Sequence, residues 1–433
     1  MGTIFASLLL LIFMGMGIHI AGAMFVIGFS GAWFALGHAV VNDFANQAWL
    51  VLTNFALTSI PLFILLGEIM FRSGITEKLY HSLSLWLSRL PGGLLHTNIG
   101  ACALMAATSG SSVATAASLG VVALPTMLAK GYNERMLLGS ICAGGTLGIL
   151  IPPSIAMIIY GSISNTSIGK LFIAGIIPGI LLAFLFSVMI GLIAIIKPSW
   201  VGGTVESKTS FRDKLRTTPA FLPVVVIVFA VMGSIYLGWA TPTEAAALGV
   251  LATLIMAIIK KKVSIKSLHD SFVGMVKSTS MILLIMVAAF YLNYVISILG
   301  LPQLLTEWFM SFNFSPKVVV FMVMLLYLVL GMFIETTAMV ITTVPMVLPI
   351  VTAAGYDDIW FGIFLVVLCE ASLVTPPVGM NLYVVQGIRT RKGPMKDIIV
   401  GMVPFLAMMI VLMCILIYYP PLATWLPKYM MGH

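Results

Sequence analysis

The sequence predicts an all-α polytopic membrane protein: inverted repeats with about ten spanning helices, two re-entrant helical hairpins and two broken helices. Three observations predict it. Apolar residues make up 61% of the 433 and charged residues 8%, with a mean hydropathy of +1.13, whereas a water-soluble domain carries roughly 25% charge. So little charge cannot cover a surface facing water. Apolar runs of crossing length recur along the chain, and several motifs repeat at one fixed offset.

A crossing helix needs about 17–25 apolar residues. Runs at 3–18, 20–37, 50–71, 136–161, 171–196, 219–237, 242–259, 278–299, 359–388 and 398–418 read as spans. The N-terminus enters the first run within three residues, without a basic stretch or small-residue cleavage site. It therefore reads as a span and not as a removable signal. The stretches 93–130 and 316–355 are long, have polar or small residues at their centres, and end in Gly-Tyr. Each reads as a hairpin that enters and leaves the membrane on one side, with its non-helical turn buried in protein or facing a wet cavity. Segments 72–92 and 300–315 precede the hairpins. Arg72, Lys78 and Arg89 with Leu79, Leu83 and Leu87 suggest a helix lying in the interface.

The net charge is +8, and 19 of the 22 Lys and Arg fall in 72–92, 130–135, 197–216, 260–277 and 389–396. Placing these segments in the cytoplasm puts both termini in the periplasm. That assignment requires both hairpins, because an extra crossing inverts everything after it. No folded soluble domain is left to present the basic charge to nucleic acid.

Pro152-Pro153 recurs as Pro376-Pro377, an offset of 224 residues. Leu124-Pro125 recurs at the same offset as Leu348-Pro349, and Gly131-Tyr132-Asn133 as Gly355-Tyr356-Asp357. Five spans and one hairpin per half invert the second copy about an axis in the membrane plane. The expected division is a first repeat over 1–197, a cytoplasmic connector over 198–218 and a second repeat over 219–433. The first repeat holds hairpin one (93–130) and the broken helix 136–161; the second holds hairpin two (316–355) and the broken helix 359–388.

Four motifs carry the candidate chemistry. Thr108 to Thr115, at the centre of hairpin one, gathers hydroxyls and glycine. Freed carbonyls and hydroxyls suit a hard monovalent cation such as sodium; small residues equally allow close helix packing. Gly144 to Ser154 holds three glycines and two prolines. Proline removes a backbone donor and clashes with the preceding turn, so this span breaks into half-helices or kinks for packing. Gly331 to Thr337, centred on Glu335, and Thr375 to Asn381 are the corresponding motifs of the second half. Glu335 and Glu370 stand in apolar sequence, where an ionisable group is a functional candidate. Glu335 has a bland role as a helix cap, and Glu370 as partner to a neighbouring donor; Glu68 has a similar structural option. Half-helix N-termini offer positive dipole ends to an anion, and freed carbonyls coordinate cations. Two tips imply two cation sites, and two sodium ions carried with a monoanion couple uptake to a membrane potential, at about 2.3 kcal/mol per charge per 100 mV.

Other chemistries lack support. Cys102, Cys142, Cys369 and Cys414 lie in apolar runs without ligand spacing. No GxxxxGK, HExxH or GxSxG pattern is present, so the chain does not read as an enzyme. Thr241 and Glu244 fit a capping box.

The stretches GSSVATAASLGVVALP, GTLGILIPPSIAMIIYG, ATPTEAAALG and TPPVGMNLYVVQG, in that order, resemble the large membrane subunit of tripartite ATP-independent periplasmic (TRAP) transporters, and the likeness covers essentially the whole chain. The resemblance implies an elevator-type, sodium-driven importer of organic anions, such as C4-dicarboxylates or a sialic-acid-like sugar acid, in the bacterial inner membrane. It also implies a small four-helix membrane subunit, expected as a separate chain, and a soluble periplasmic substrate-binding protein. Na+ is the coupling ion and no other cofactor is expected. Carried over by motif, the candidate sodium ligands are Ser109, Gly110, Ser111, Ser112, Gly148, Pro152, Gly331, Thr336, Thr337, Thr375 and Gly379. The candidate substrate contacts are Ser112, Thr115, Pro153, Ser154, Glu335, Pro377 and Asn381. The rival readings are a stand-alone sodium–carboxylate symporter without a binding protein, and a channel or scaffold.

Overall fold

The computed structural model describes residues 13, 18–37, 43–203, 210–391 and 393–431. The expected span at 3–18 falls almost entirely outside these residues, as does part of the connector. Among the described residues the chain is helical, with one isolated bridge between Tyr132 and Gly202. The first half contains α1 (Ile20–Gly31), α2 (Phe44–Leu52), α3 (Ser59–Arg72), α4 (Ile75–Leu87), α5 (Leu94–Ser109), α6 (Ser112–Ala129), α7 (Glu134–Leu150), α8 (Ile155–Ser164) and α9 (Ile168–Ile196). After the connector helix α10 (Phe211–Thr217) come α11 (Leu222–Val228), α12 (Pro242–Ile259), α13 (Ile265–Ile298), α14 (Leu301–Met310), α15 (Pro316–Gly331) and α16 (Thr336–Ala353). The chain then runs through α17 (Asp358–Ser372), α18 (Met380–Ile388), α19 (Met395–Tyr418) and α20 (Pro421–Met431).

The 224-residue offset governs this order. Ser112–Ala129 and Thr336–Ala353 are the same 18-residue element displaced by it, and Glu134 and Asp358 open equivalent helices. The caps repeat as well. Asn133 accepts a hydrogen bond from the Arg135 N–H at 3.0 Å, and its counterpart Asp357 accepts one from Ile359 at 2.8 Å. A side-chain oxygen at these positions satisfies a donor that the first helical turn leaves free.

Two spans differ from the sequence expectation. The run at 50–71 divides at Asn54, whose side chain accepts from the Ala56 N–H at 3.0 Å and restarts the helix as a 3-10 turn over Phe55–Thr58. The expected span 278–299 begins at Ile265, where Ser264 and Ser267 form a reciprocal cap. Its 34 residues extend about 50 Å at 1.5 Å each, beyond a hydrocarbon core of about 30 Å. Thr241 and Glu244 do form the expected capping box. By length and composition, eight described helices can cross a membrane, or nine with the bent pair over 211–236 taken as one. Both 18-residue hairpin arms pass that test; what marks them as hairpins is the tight turn between neighbouring antiparallel arms.

The innermost elements are α7, buried from Met136 to Leu150, and α17, buried from Trp360 to Ser372. The first packs on α5, α6 and α19. Around this centre, α3 packs on α12 and α13, while α16 packs on α8, α13 and α14. The outward faces of α9 and α12 expose Ile180, Phe184, Leu251 and Ile255, a surface suited to lipid. One ion-pair network spans the two halves: Arg389 reaches Glu134 at 2.8 Å and Asp397 at 3.2 Å, and Arg135 reaches Asp397 at 2.9 Å.

Candidate functional site

The tip of hairpin one is a two-residue turn built by hydroxyls and one glycine. Gly110 sits at φ +59°, in the left-handed region that glycine enters without a side-chain penalty. Ser111 restarts the chain as α6, accepting from the Ala114 N–H at 3.4 Å. Thr115 Oγ1 donates to the Ser111 carbonyl at 2.8 Å and lies 2.7 Å from Ser109 Oγ. Ser112 Oγ donates to the Thr146 carbonyl at 3.1 Å, tying the tip to the first broken helix.

The break accommodates that tip. A Cβ on Gly148 would lie 2.7 Å from the Ser111 oxygen and 2.9 Å from the Ser112 nitrogen. A Cβ on Gly110 would lie 3.0 Å from the Pro153 oxygen. The Pro152-Pro153 peptide is cis, and Ser154, fully buried, accepts from the Met157 N–H at 3.4 Å to start α8.

Hairpin two repeats the arrangement with different chemistry. Glu335 Oε2 accepts from the Ala338 N–H at 3.1 Å. Gly331 rests on Ser372, and the Val378 N–H donates to the Met332 carbonyl at 3.2 Å, so this tip too is seated on its broken helix. Pro376-Pro377 is likewise cis. Thr375 Oγ1 turns back to the Ala371 carbonyl at 2.6 Å, the Pro377 carbonyl accepts from Tyr383 at 3.3 Å, and Gly379 caps α18 at φ +44°. Asn381 crosses between the halves: its Nδ2 donates to the Cys142 carbonyl at 3.4 Å, and its own carbonyl accepts from Cys142 Sγ at 3.5 Å.

Both tips line one cavity of about 400 Å³. Of the residues singled out in sequence, Ser109, Gly110, Ser111, Ser112, Glu335, Thr336 and Thr337 face it. Thr115, Gly148, Pro152, Pro153, Ser154, Gly331, Thr375, Pro377, Gly379 and Asn381 are not in its lining; those described above support the tips from behind. Four helices begin at its wall, with Ser112, Ile155, Thr336 and Met380 as first residues. Each brings the positive end of its dipole, and in three of them a capping side chain accepts from the first turn. Among the described residues, the lining contains no Lys or Arg.

The opposite wall comes from α3 and α13. A Cβ on Gly67 would lie 3.2 Å from the Ser109 oxygen, so α3 approaches the tip closely. Gly67, Ser118 and Ser278 face the cavity and were not singled out in sequence. The polar run Lys277 to Ser280 at the head of an apolar span carried a signal for Ser278. Glu68 also faces the cavity, with Arg72 3.2 Å away.

Two buried oxygens at the second half of the site, Thr336 Oγ1 and Asn381 Oδ1, have no hydrogen-bond partner among the described residues. Glu370 stands in the sequence as a functional candidate, with a neighbouring helix donor as its structural alternative, and that donor is not found among the described residues. It is fully buried, and neither carboxyl oxygen has a hydrogen-bond partner among those residues.

Residues 2–422 match the family model of the tripartite ATP-independent periplasmic transporter, DctM component. The chain is 32% identical over 407 residues to a C4-dicarboxylate TRAP transporter large permease protein of Pseudomonas aeruginosa, covering 93% of this chain and 94% of that one. It is 31% identical to a sialic acid TRAP transporter large permease protein of Vibrio cholerae, covering 98% and 99%. Among solved structures, the Alcanivorax borkumensis YdaH transporter superposes with a TM-score of 0.62 at 16% identity, covering 91% of this chain and 90% of that one, a likeness of fold.

Proposed function

This chain belongs to the tripartite ATP-independent periplasmic transporter family as a DctM component, and from that premise we propose that it is the sodium-coupled, substrate-carrying subunit of an organic-anion importer. It is a membrane transport protein and not an enzyme. The convergence of four helix N-termini on one cavity without a lysine or arginine carries the proposal. Backbone dipoles favour an anion there. Among the described residues the lining holds no fixed cation and two carboxylates, Glu68 and Glu335, so bound cations are needed to offset a carboxylate cargo. The unpartnered oxygens of Thr336 and Asn381 suit a hard cation, which takes oxygen ligands.

In this reading the two hairpins and two broken helices move together as an elevator against α3, α12 and α13, and the two halves are inverted repeats in the bacterial inner membrane with both termini in the periplasm. Each tip with its broken helix holds one sodium ion, and the anion lies between them. A small membrane subunit braces the outer helices, and a periplasmic binding protein delivers the cargo, a C4-dicarboxylate or a sialic-acid-like sugar acid.

The test is uptake of such an anion into proteoliposomes containing the partner subunits and a loaded binding protein. Uptake is expected to collapse when sodium is replaced by potassium or choline, and uptake unchanged by the replacement refutes the coupling. Full transport by the lone chain would instead identify a stand-alone symporter.

A further inference from the structure

A second cavity, of about 520 Å³, shares no lining residue with the hollow at the hairpin tips and collects positive charge. It is lined by Lys78 and His81 of α4, Arg216 of α10, and Lys260 at the end of α12, against the single acid Glu77. None of the three permanent cations has a recorded ion pair among the described residues. Burial and the neighbouring Lys78 hold the Lys260 ammonium below its ordinary range. Three cations gathered around a hollow with one acid, Glu77, among them repel one another, so an anion entering it relieves that repulsion.

The walls are fixed in place. Ser82 Oγ donates to the Thr217 carbonyl at 3.0 Å, fastening α4 to the connector. Lys214 lies 5.3 Å from the Trp86 ring centroid, and its own side chain is buried. Exposed apolar side chains flank these elements along the chain: Trp86, in ring contact with Phe211, Leu215 beside Arg216, and Ile258 and Ile259 before Lys260. A charged hollow bordered by exposed aliphatic and aromatic side chains matches a molecule with a phosphate head and hydrocarbon tails.

We propose that this cavity is a binding site for a phosphate group, supplied by an anionic phospholipid whose acyl chains lie on the exposed apolar residues beside it. Lys78, Arg216 and Lys260 hold the phosphate oxygens, with His81 at the rim. The bound lipid then cements the interfacial helix α4 to the connector between the two halves.

The experiment uses the purified full-length chain in neutral detergent, titrated with phosphatidylglycerol, cardiolipin, phosphatidylcholine or inorganic phosphate, with binding read by native mass spectrometry and melting temperature. Phosphatidylglycerol and cardiolipin are expected to bind and raise the melting temperature, while phosphatidylcholine does neither. Replacing each cation (Lys78→Gln, Arg216→Gln, Lys260→Gln) is expected to weaken lipid binding about fivefold. Lys78→Arg and Lys260→Arg retain binding, which guards against a folding defect, and Lys428→Gln serves as a distant control. Equal binding of phosphatidylcholine, or lipid binding unaltered in the glutamine variants, overturns the proposal. Inorganic phosphate binding to the same residues without any response to the lipids overturns the lipid assignment.

Discussion

Ser111 and Glu335 hold the same place in the two halves of the chain, 224 residues apart, each accepting a hydrogen bond from the backbone N–H three residues on. One cap is a neutral hydroxyl and the other a carboxylate, so the two related tips differ by one charge. Both line the same hollow.

Removing either cap costs about 0.5–2 kcal/mol. Ser111→Ala and Glu335→Ala are expected to lower the melting temperature of the purified chain and to reduce uptake. Glu335→Gln keeps an acceptor oxygen, so it retains most of that stability while raising the sodium concentration needed for half-maximal uptake. An unaltered sodium dependence in Glu335→Gln rules out a charge role.

Close approach makes its own prediction at Gly148. A methyl group there meets the backbone of Ser111 and Ser112 at 2.7 and 2.9 Å, which cannot give way as a flexible side chain does. Gly148→Ala is expected to lose about 1–3 kcal/mol of stability and most of its transport. Gly387→Ala, with nothing within 4 Å of the new atom, is expected to be neutral or slightly stabilising by the helix preference of alanine. Thermal melts and uptake on both variants check the contrast.

Sodium binding to the folded chain alone is expected to raise its melting temperature. A ligand at a hundredfold excess over its dissociation constant adds about 2.7 kcal/mol. Exchange of sodium for choline removes that increment. Thr336→Val and Asn381→Ala, which delete the unpartnered buried oxygens, are expected to shrink the sodium-dependent shift; a full shift in both places the ion elsewhere.

The capping box at Thr241 gives the reverse case. Its oxygen accepts from the Glu244 N–H, and the Glu244 carboxylate accepts from the Thr241 N–H at 2.8 Å. Thr241→Ala is expected to cost about 1 kcal/mol and to leave uptake per folded molecule intact. Activity loss beyond the folded fraction would give this segment a transport role.

Much of this arrangement was legible in the chain because its breaks are written in residue types with strong local consequences. Paired prolines, the Gly-Tyr that follows each hairpin, and the serine-rich tip fix the backbone within a few residues of themselves. The 224-residue offset then made each half a check on the other. The start of α13 was hidden because Lys266, His269 and Asp270 read as loop, whereas a helix leaving the lipid needs no apolar stripe. Gly67 and Ser118 join the cavity through tertiary approach, which no local pattern records. Glu370 shows the same limit: a carboxyl in apolar sequence suggests a partner, and only the packed structure shows both its oxygens buried without one among the described residues.

Arg389 is nearly buried, with its side chain 4% exposed, and it holds an acid from each half of the molecule at once. Glu134 opens the first broken helix and Asp397 the last long helix. Sliding one half past the other at this end means leaving a sequestered guanidinium without counterions, a cost of several kcal/mol. The rivet at this corner therefore binds the first broken helix to the end of the second, so a displacement of the hollow past α3, α12 and α13 carries both broken helices together.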